Sequence, residues 1–155
     1  MSESNLNVGT MLKKIVLEQD KHIDNWLVKF NLSHSQIRVL GYVLRSDEKG
    51  IAVNQRMIEG ALHLSNPTVS GIVTRLEEKH YINRRASSED ARVKYVFPTG
   101  TSKMLKNTLL DFFDAEKNRL TKNFTDEEQA TLEALILKIA ANVGLEAPEK
   151  TETTK

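Results

Sequence analysis

The fold of this chain follows from the stretch LSNPTVSGIVTRLEEK, residues 64–79. Ser65 or Asn66 can cap a helix here, because their side-chain oxygens accept hydrogen bonds from free backbone amides, and Pro67 is tolerated in the first turn. Apolar residues then recur at helical spacing, at Val69, Ile72, Val73 and Leu76. The pattern predicts an amphipathic helix whose outer face carries small polar side chains.

A short helix and a hairpin are predicted on either side of this stretch. Asn54 can cap the short helix, and a tight turn at His63-Leu64-Ser65 separates it from the next helix. After Lys79 the hydrophobic period changes to two, which predicts strands at 82–85 and 93–97 joined by a polar loop. The apolar stretch 51–53 is long enough only for a small strand.

Longer amphipathic helices are predicted towards both ends of the chain. The first ends near Asn31, and a capping box at Ser33 opens the second. Thr99 can cap the fifth helix, and a capping box at Thr125 opens the sixth. The order of helix, small strand, helix, tight turn, helix and hairpin is that of a winged helix-turn-helix. The predicted fold class is mainly α with a small β-hairpin.

Residues 64–79, followed by Ile82-Asn83-Arg84 and Asp90-Ala91-Arg92, resemble the MarR family of bacterial regulators. The resemblance extends from the first helix to Val143. It implies a homodimer held by its terminal helices, and repression of nearby genes that a small ligand relieves. The predicted domain is residues 1–146, with the winged helix at about 33–98, dimerisation helices at about 6–31 and 99–144, and a disordered tail at 147–155.

In a winged helix-turn-helix the fourth helix enters the major groove, and the basic wing tip reaches phosphates or the minor groove. Asp90 is predicted to orient the wing. Alternatively, Arg75 only pairs with Glu78, Arg92 only pairs with Asp90, and the small hydroxyls of the helix are inert. The predicted DNA-binding residues are Asn66, Pro67, Thr68, Ser70, Gly71, Thr74, Arg75, Arg84, Arg85, Arg92 and Lys94.

Three positions depart from the family pattern. Gly71 stands where many members have an arginine, so base recognition is expected to depend on the other polar residues of the helix. His80 stands where members usually have the helix-ending glycine, a position that often requires a positive φ. Ala91 replaces a common second wing arginine and leaves Arg92 as the main basic residue of the tip.

Five aromatic residues have two interpretations: they line a pocket for a small apolar or phenolic ligand, or they belong to the dimer core. No cofactor or metal site is predicted, because the four histidines include no pair spaced i, i+4 and the chain has no cysteine. The fifth helix also lacks a histidine, which disfavours the zinc-sensing branch of the family. The five aromatic residues are Trp26, Phe30, Tyr42, Phe112 and Phe113.

Composition limits the class of protein further. The chain has 155 residues and a net charge of +1. Residues 50–105 carry eight basic and five acidic side chains, whereas residues 106–155 carry seven and ten, which favours one surface suited to an anionic polymer. No apolar run approaches the roughly 20 residues of a membrane span, and Met1 to Val8 lacks the basic start and apolar stretch of a secretory signal. The absence of cysteine predicts a cytoplasmic protein.

The leading hypothesis is therefore a homodimeric repressor of transcription that binds a pseudo-palindromic site in double-stranded DNA and is released from it by a small apolar or phenolic ligand. No membrane partner is predicted. The alternative is a winged-helix module that binds proteins and not DNA, which the near-neutral charge and Gly71 favour. An enzyme is disfavoured, since no nucleophile–base pair, phosphate-binding glycine loop or metal-ligand spacing is present.

Overall fold

The computed structural model describes residues 7–146, so the tail predicted at 147–155 lies outside the described residues. None of the described helices is both long enough and apolar enough to span a bilayer. A 3₁₀ turn at Val28–Phe30 follows the first helix. The elements in this range are α1 (Val8–Leu27), α2 (His34–Glu48), β1 (Val53–Asn54), α3 (Gln55–Leu62), α4 (Asn66–Glu78), β2 (Ile82–Ala86), β3 (Lys94–Pro98), α5 (Gly100–Leu120) and α6 (Asp126–Asn142).

The helices after α1 begin at the predicted capping residues, whereas the cap of α1, Asn7, was not predicted. Ser33 Oγ accepts from the Gln36 amide at 3.3 Å, and Gln36 Oε1 accepts in return from the Ser33 amide at 3.2 Å. Thr125 and Glu128 form the same reciprocal pair at the start of α6. Asn54 Oδ1 caps α3 at 3.0 Å. Each cap is worth about 1 kcal/mol, because it satisfies an amide that has no partner inside its helix.

The three strands form one antiparallel sheet in the order β1-β3-β2. The predicted hairpin is present, with Ile82 opposite Pro98 and Arg84 opposite Val96. The pairing of β1 with the far side of β3, at Val53 and Val96, was not predicted. A strand of two residues has no alternation of its own, so its partner is set by the surrounding packing.

The described chain divides into two compact units, one ending at Asn107 and the other beginning at Thr108, with the boundary inside α5. The first unit, here called the winged lobe, has a core formed by α2, α3, α4 and the sheet. Burying each large apolar side chain of this core contributes about 1.5–3 kcal/mol. The core residues include Leu27, Val39, Leu40, Val43, Val53, Ile58, Val69, Val73, Leu76, Ile82 and Val96.

Two helical faces outside this core remain uncovered. The first half of α1 exposes an apolar stripe, and α6 in the second unit has no buried side chain. On α6 the stripe is at least a third exposed at every large residue from Leu135 onwards. Apolar stripes of this kind are usually buried against another element. The exposed residues are Val8, Met11, Leu12, Ile15 and Val16 on α1, and Leu135, Ile136, Ile139 and Val143 on or just after α6.

Candidate nucleic-acid interface

The turn between α3 and α4 sets the orientation of the predicted recognition helix. His63 ends α3 with a left-handed backbone, at φ 52°, and its amide donates to the carbonyl of Glu59. The Leu64 amide donates to the same carbonyl at 3.2 Å. Ile58 of α3 is fully buried, and the apolar face of α4 packs on the same side. The break was predicted at these residues, but the left-handed histidine was not.

Side chains at the start of α4 form hydrogen bonds with one another and with α3. Ser65 Oγ caps the Thr68 amide at 3.4 Å, and the two hydroxyls lie 2.8 Å apart. Asn66 Nδ2 donates to Glu59 Oε1 of α3 at 2.7 Å. Sequence analysis did not identify Glu59, because a contact seven residues away across a turn leaves no periodic signal.

The outer face of α4 lies opposite its buried residues, as the periodicity predicted. Ser70, Gly71 and Thr74 are partly exposed, while Pro67 and Arg75 are exposed. No atom lies within 4 Å of the position that a Cβ on Gly71 would occupy, so this part of the face is shallow and open. The face can therefore approach a groove closely, and the individual DNA contacts stay predictions.

Arg84 is held by a carboxylate at the base of the wing. Its backbone amide donates to Glu77 Oε1 at 3.1 Å, its Nε donates to Oε2 at 2.8 Å, and its Nη2 donates to Oε2 as well. The guanidinium bonds to Oε2, then the backbone amide bond and the nearby charges of Arg84 and Lys94, lower the pKa of Glu77, although partial burial opposes this shift. In the structure Arg84 joins the wing to α4 through Glu77, a partner that was not predicted. A contact between Arg84 and DNA stays a prediction.

Arg85 and Lys94 lie on opposite faces of the wing. Because side chains alternate along a strand, Arg85 shares its face with its cross-strand partner Tyr95 and with Phe97. The Arg85 guanidinium lies 5.3 Å from the centre of the Phe97 ring, a cation–π distance. The structure therefore separates these two predicted contact residues instead of bringing them to one surface.

Hydrogen bonds within the wing tip hold an exposed arginine. Ser87 Oγ accepts the Glu89 amide at 3.1 Å, which tightens the turn. Asp90 Oδ1 accepts both the backbone amide and Nε of Arg92, at 3.0 and 3.1 Å, and these bonds lower the pKa of Asp90. The Arg92 side chain is nevertheless 91% exposed. Arg92 thus pairs with Asp90 and still faces solvent, and its contact with DNA stays a prediction.

The far end of α4 is attached to the turn that follows α1. Lys79 Nζ donates to the carbonyl of Asn31 at 2.5 Å and to Gln36 Oε1 at 2.9 Å. The Tyr81 hydroxyl donates to the carbonyl of Phe30 at 2.8 Å, and burial raises the pKa of Tyr81. These bonds span 43 to 51 residues of sequence and were not predicted.

His80, between Lys79 and Tyr81, has a φ of 62°. The left-handed backbone expected of the family's glycine is therefore present here with a histidine side chain, which has a steric cost that glycine avoids.

Four of the five aromatic residues of the predicted pocket form two ring pairs in the described chain. The rings of Trp26 and Phe30 lie 4.9 Å apart with Lys29 Nζ 4.4 Å from the Trp26 ring. In the second unit, the Phe112 and Phe113 rings lie 5.5 Å apart. Tyr42 of α2 is partly buried. Whether these residues line one pocket stays a prediction. Among residues 7–146, no three acidic or histidine side chains are grouped as a metal site.

Comparison with known proteins gives consistent results. A model of the MarR family matches residues 30–93. The transcriptional regulator PecS of Dickeya dadantii is 26% identical over 137 residues, which cover 88% of this chain and 81% of PecS. Among solved structures, the MepR–DNA complex of Staphylococcus aureus is similar with a TM-score of 0.77 at 25% identity, covering 89% of this chain and 99% of MepR. MepR in a DNA-binding conformation gives a TM-score of 0.70 at 25% identity, with the same coverage of both chains.

Proposed function

This chain belongs to the MarR family of transcriptional regulators, and we propose that α4 enters the major groove of double-stranded DNA while the wing tip contacts the backbone or the adjacent minor groove. The chain is a DNA-binding regulator of transcription, and the family's members are not enzymes. One observation carries the proposed geometry: the open outer face of α4 lies beside a wing whose exposed Arg92 is held in place by Asp90. Acting on chromosomal DNA, the protein would work in the cytoplasm.

Selection from a random duplex library tests this proposal. The purified chain is expected to enrich a pseudo-palindromic site and to bind it with an affinity that falls steeply as salt rises, because lysine and arginine displace counterions from phosphates. Arg92→Ala is expected to weaken binding to all duplexes and to reduce the salt slope by about 1. Lys122→Ala, which removes a cation from the second unit, is the control. Failure to enrich any duplex at low salt would contradict the proposal.

The active form is proposed to be a homodimer. The uncovered apolar stripes of α1 and α6 support this, since a second copy can bury them at a two-fold interface. The single domain 1–146, with dimerisation helices at about 6–31 and 99–144, belongs to the same proposal. A dimer predicts half-sites about one helical turn apart, roughly 34–36 Å. Analytical ultracentrifugation measures the mass, and a monomer at micromolar concentration would contradict it.

Repression relieved by a small apolar or phenolic ligand is a further part of the proposal. Its support is the partly exposed pair of Trp26 and Phe30, which lies next to the bonds between Phe30 and the end of α4. A thermal-shift screen of phenolic and lipophilic compounds, followed by titration into the protein–DNA complex, tests it. The expected hit raises the melting temperature of the free protein and lowers its DNA affinity, and Trp26→Ala weakens both effects.

A module that binds only proteins is the second candidate from the sequence. The similarity to a MepR–DNA complex favours DNA binding instead. The duplex selection distinguishes the two, since a protein-binding module enriches no site.

A further inference from the structure

Glu59 occupies an unusual place for an acidic residue in a DNA-binding lobe. Its partly buried side chain extends from α3 over the turn to the first residue of α4, where Oε1 accepts from Asn66 Nδ2 at 2.7 Å. A carboxylate at this position repels the phosphates that the start of α4 would otherwise attract. Its effect on general DNA affinity is therefore unfavourable, so its role must be sought in the hydrogen bond.

That hydrogen bond limits what the Asn66 amide can offer to DNA. An amide group has two N–H donors and one carbonyl acceptor, and Glu59 occupies one of the donors. The neighbouring hydroxyls of Ser65 and Thr68 are bonded to each other, so they do not compete for the rest of the amide. Asn66 is exposed, so its second N–H and its carbonyl oxygen remain available to a ligand.

One N–H beside one carbonyl oxygen is the complement of adenine in the major groove, where N7 accepts and the N6 amino group donates. We propose that Glu59 is a positioning residue that holds the Asn66 amide in the orientation for bidentate recognition of one adenine in each half-site. This inference rests on the proposed DNA binding by α4. Glu59 would then increase discrimination between DNA sequences while its charge lowers the affinity for every duplex.

The test starts from the duplex that the wild-type protein selects from a random library. Each adenine of one half-site is replaced in turn by 7-deazaadenine, which lacks the N7 acceptor, and binding is measured by fluorescence anisotropy. Wild type is expected to lose about 5- to 150-fold in affinity at one adenine, the range of a bidentate base contact. Asn66→Ala is expected to lose affinity for the natural duplex and to become insensitive to that replacement.

Variants of Glu59 separate the hydrogen bond from the charge. Glu59→Ala removes both, and we expect it to become insensitive to the same replacement as Asn66→Ala, with no further loss in the double variant. Glu59→Gln keeps an acceptor, so it is expected to restore the discrimination while it binds every duplex more tightly than wild type does. Alanine is a good helix former, so neither α3 nor the fold is expected to suffer. Glu78→Ala, which removes a carboxylate from α4 itself, is the charge control and is expected to leave discrimination unchanged.

The possible results are distinguishable. A Glu59→Ala protein that keeps the wild-type sensitivity to 7-deazaadenine overturns the positioning role and leaves the proposed function intact. So does a Glu59→Gln protein that loses discrimination as fully as Glu59→Ala, because the charge and not the bond to Asn66 would then be responsible. A wild-type chain that enriches no duplex overturns the proposed function and this inference together.

Discussion

α2 and α4 bury their apolar stripes almost completely, whereas α6, a helix of similar length, buries none of its side chains. The sequence signals that start these helices do not explain this difference in burial, since α2 and α6 both begin with a complete capping box. Capping and periodicity therefore specify that a helix forms, but not which chain covers its apolar face. In the winged lobe the cover comes from the same chain. For α6 we propose that it comes from a second copy.

The largest expected effect comes from charging the stripe of α6. Changing Leu135 and Ile139 together to lysine would place cations in the proposed dimer interface, where desolvation is costly. Loss of the dimer also removes bivalent binding, so affinity for a two-half-site duplex is expected to fall about 10²- to 10⁴-fold. Sedimentation and anisotropy measure the two effects. Leu137→Lys, on the opposite side of α6, is the control, and an equal loss there would contradict the interface.

Next in size is a truncation in the core of the lobe. Leu40 is fully buried, so Leu40→Ala is expected to cost about 2–5 kcal/mol in free energy of unfolding, both in wild type and in the Leu135→Lys, Ile139→Lys background. Ile136→Ala is expected to destabilise wild type but to have little effect in that monomeric background. Urea unfolding measures all four values. A cost of Ile136→Ala that persists in the monomer would show that its contacts lie within one chain.

Lowering the pH is expected to reduce the stability of the winged lobe, because Glu77 becomes protonated. Because the pKa of Glu77 is lower in the folded protein than the ordinary value of a glutamate, 4.5, the unfolded chain binds more protons, and stability rises with pH in this range. The contribution is complete above the unfolded pKa and is lost as the pH falls through the folded value. Wild type should therefore lose more stability than Glu77→Gln between about pH 6 and about pH 3. Glu78→Gln is the control, and a loss equal to wild type in Glu77→Gln would contradict the role of Arg84.

The smallest expected effect comes from replacing two helical glycines of the winged lobe, which tests helix stability and DNA affinity separately. Gly71 of α4 and Gly60 of α3 both have open space where a Cβ would lie, so alanine at either position is expected to stabilise the helix by about 0.5–1 kcal/mol. Only Gly71→Ala is expected to weaken DNA binding, because only Gly71 lies on the face proposed to enter the groove. Thermal melting and anisotropy measure both variants. Unchanged DNA affinity in Gly71→Ala would place that face away from the bases.

Local interactions explain why much of the fold was predictable. A capping bond joins residues three apart, as between Ser33 and Gln36, and both partners are visible in the sequence. The hairpin of β2 and β3 is also local, since its register follows from alternation across one loop. The proposed binding face of α4 followed from the same periodicity, with its buried residues opposite.

The unpredicted parts of the site are contacts between elements. Arg84 bonds to Glu77, and Asn66 bonds to Glu59. Arg84 and Asn66 were predicted as DNA contacts, but their carboxylate partners were not predicted. Such pairs depend on the angle between two elements, which tertiary packing sets. The positive φ of His63 is similar, because a histidine adopts it only where the tight turn requires it.

The bonds that attach the far end of α4 have a consequence for how this protein can change over evolution. Two of the acceptors, at Phe30 and Asn31, are main-chain carbonyls, which every amino acid supplies. Substitutions of these two side chains would leave the recognition helix anchored, provided that the backbone at Asn31 keeps its left-handed turn. The side chains at this corner can thus vary while α4 stays attached to the turn after α1.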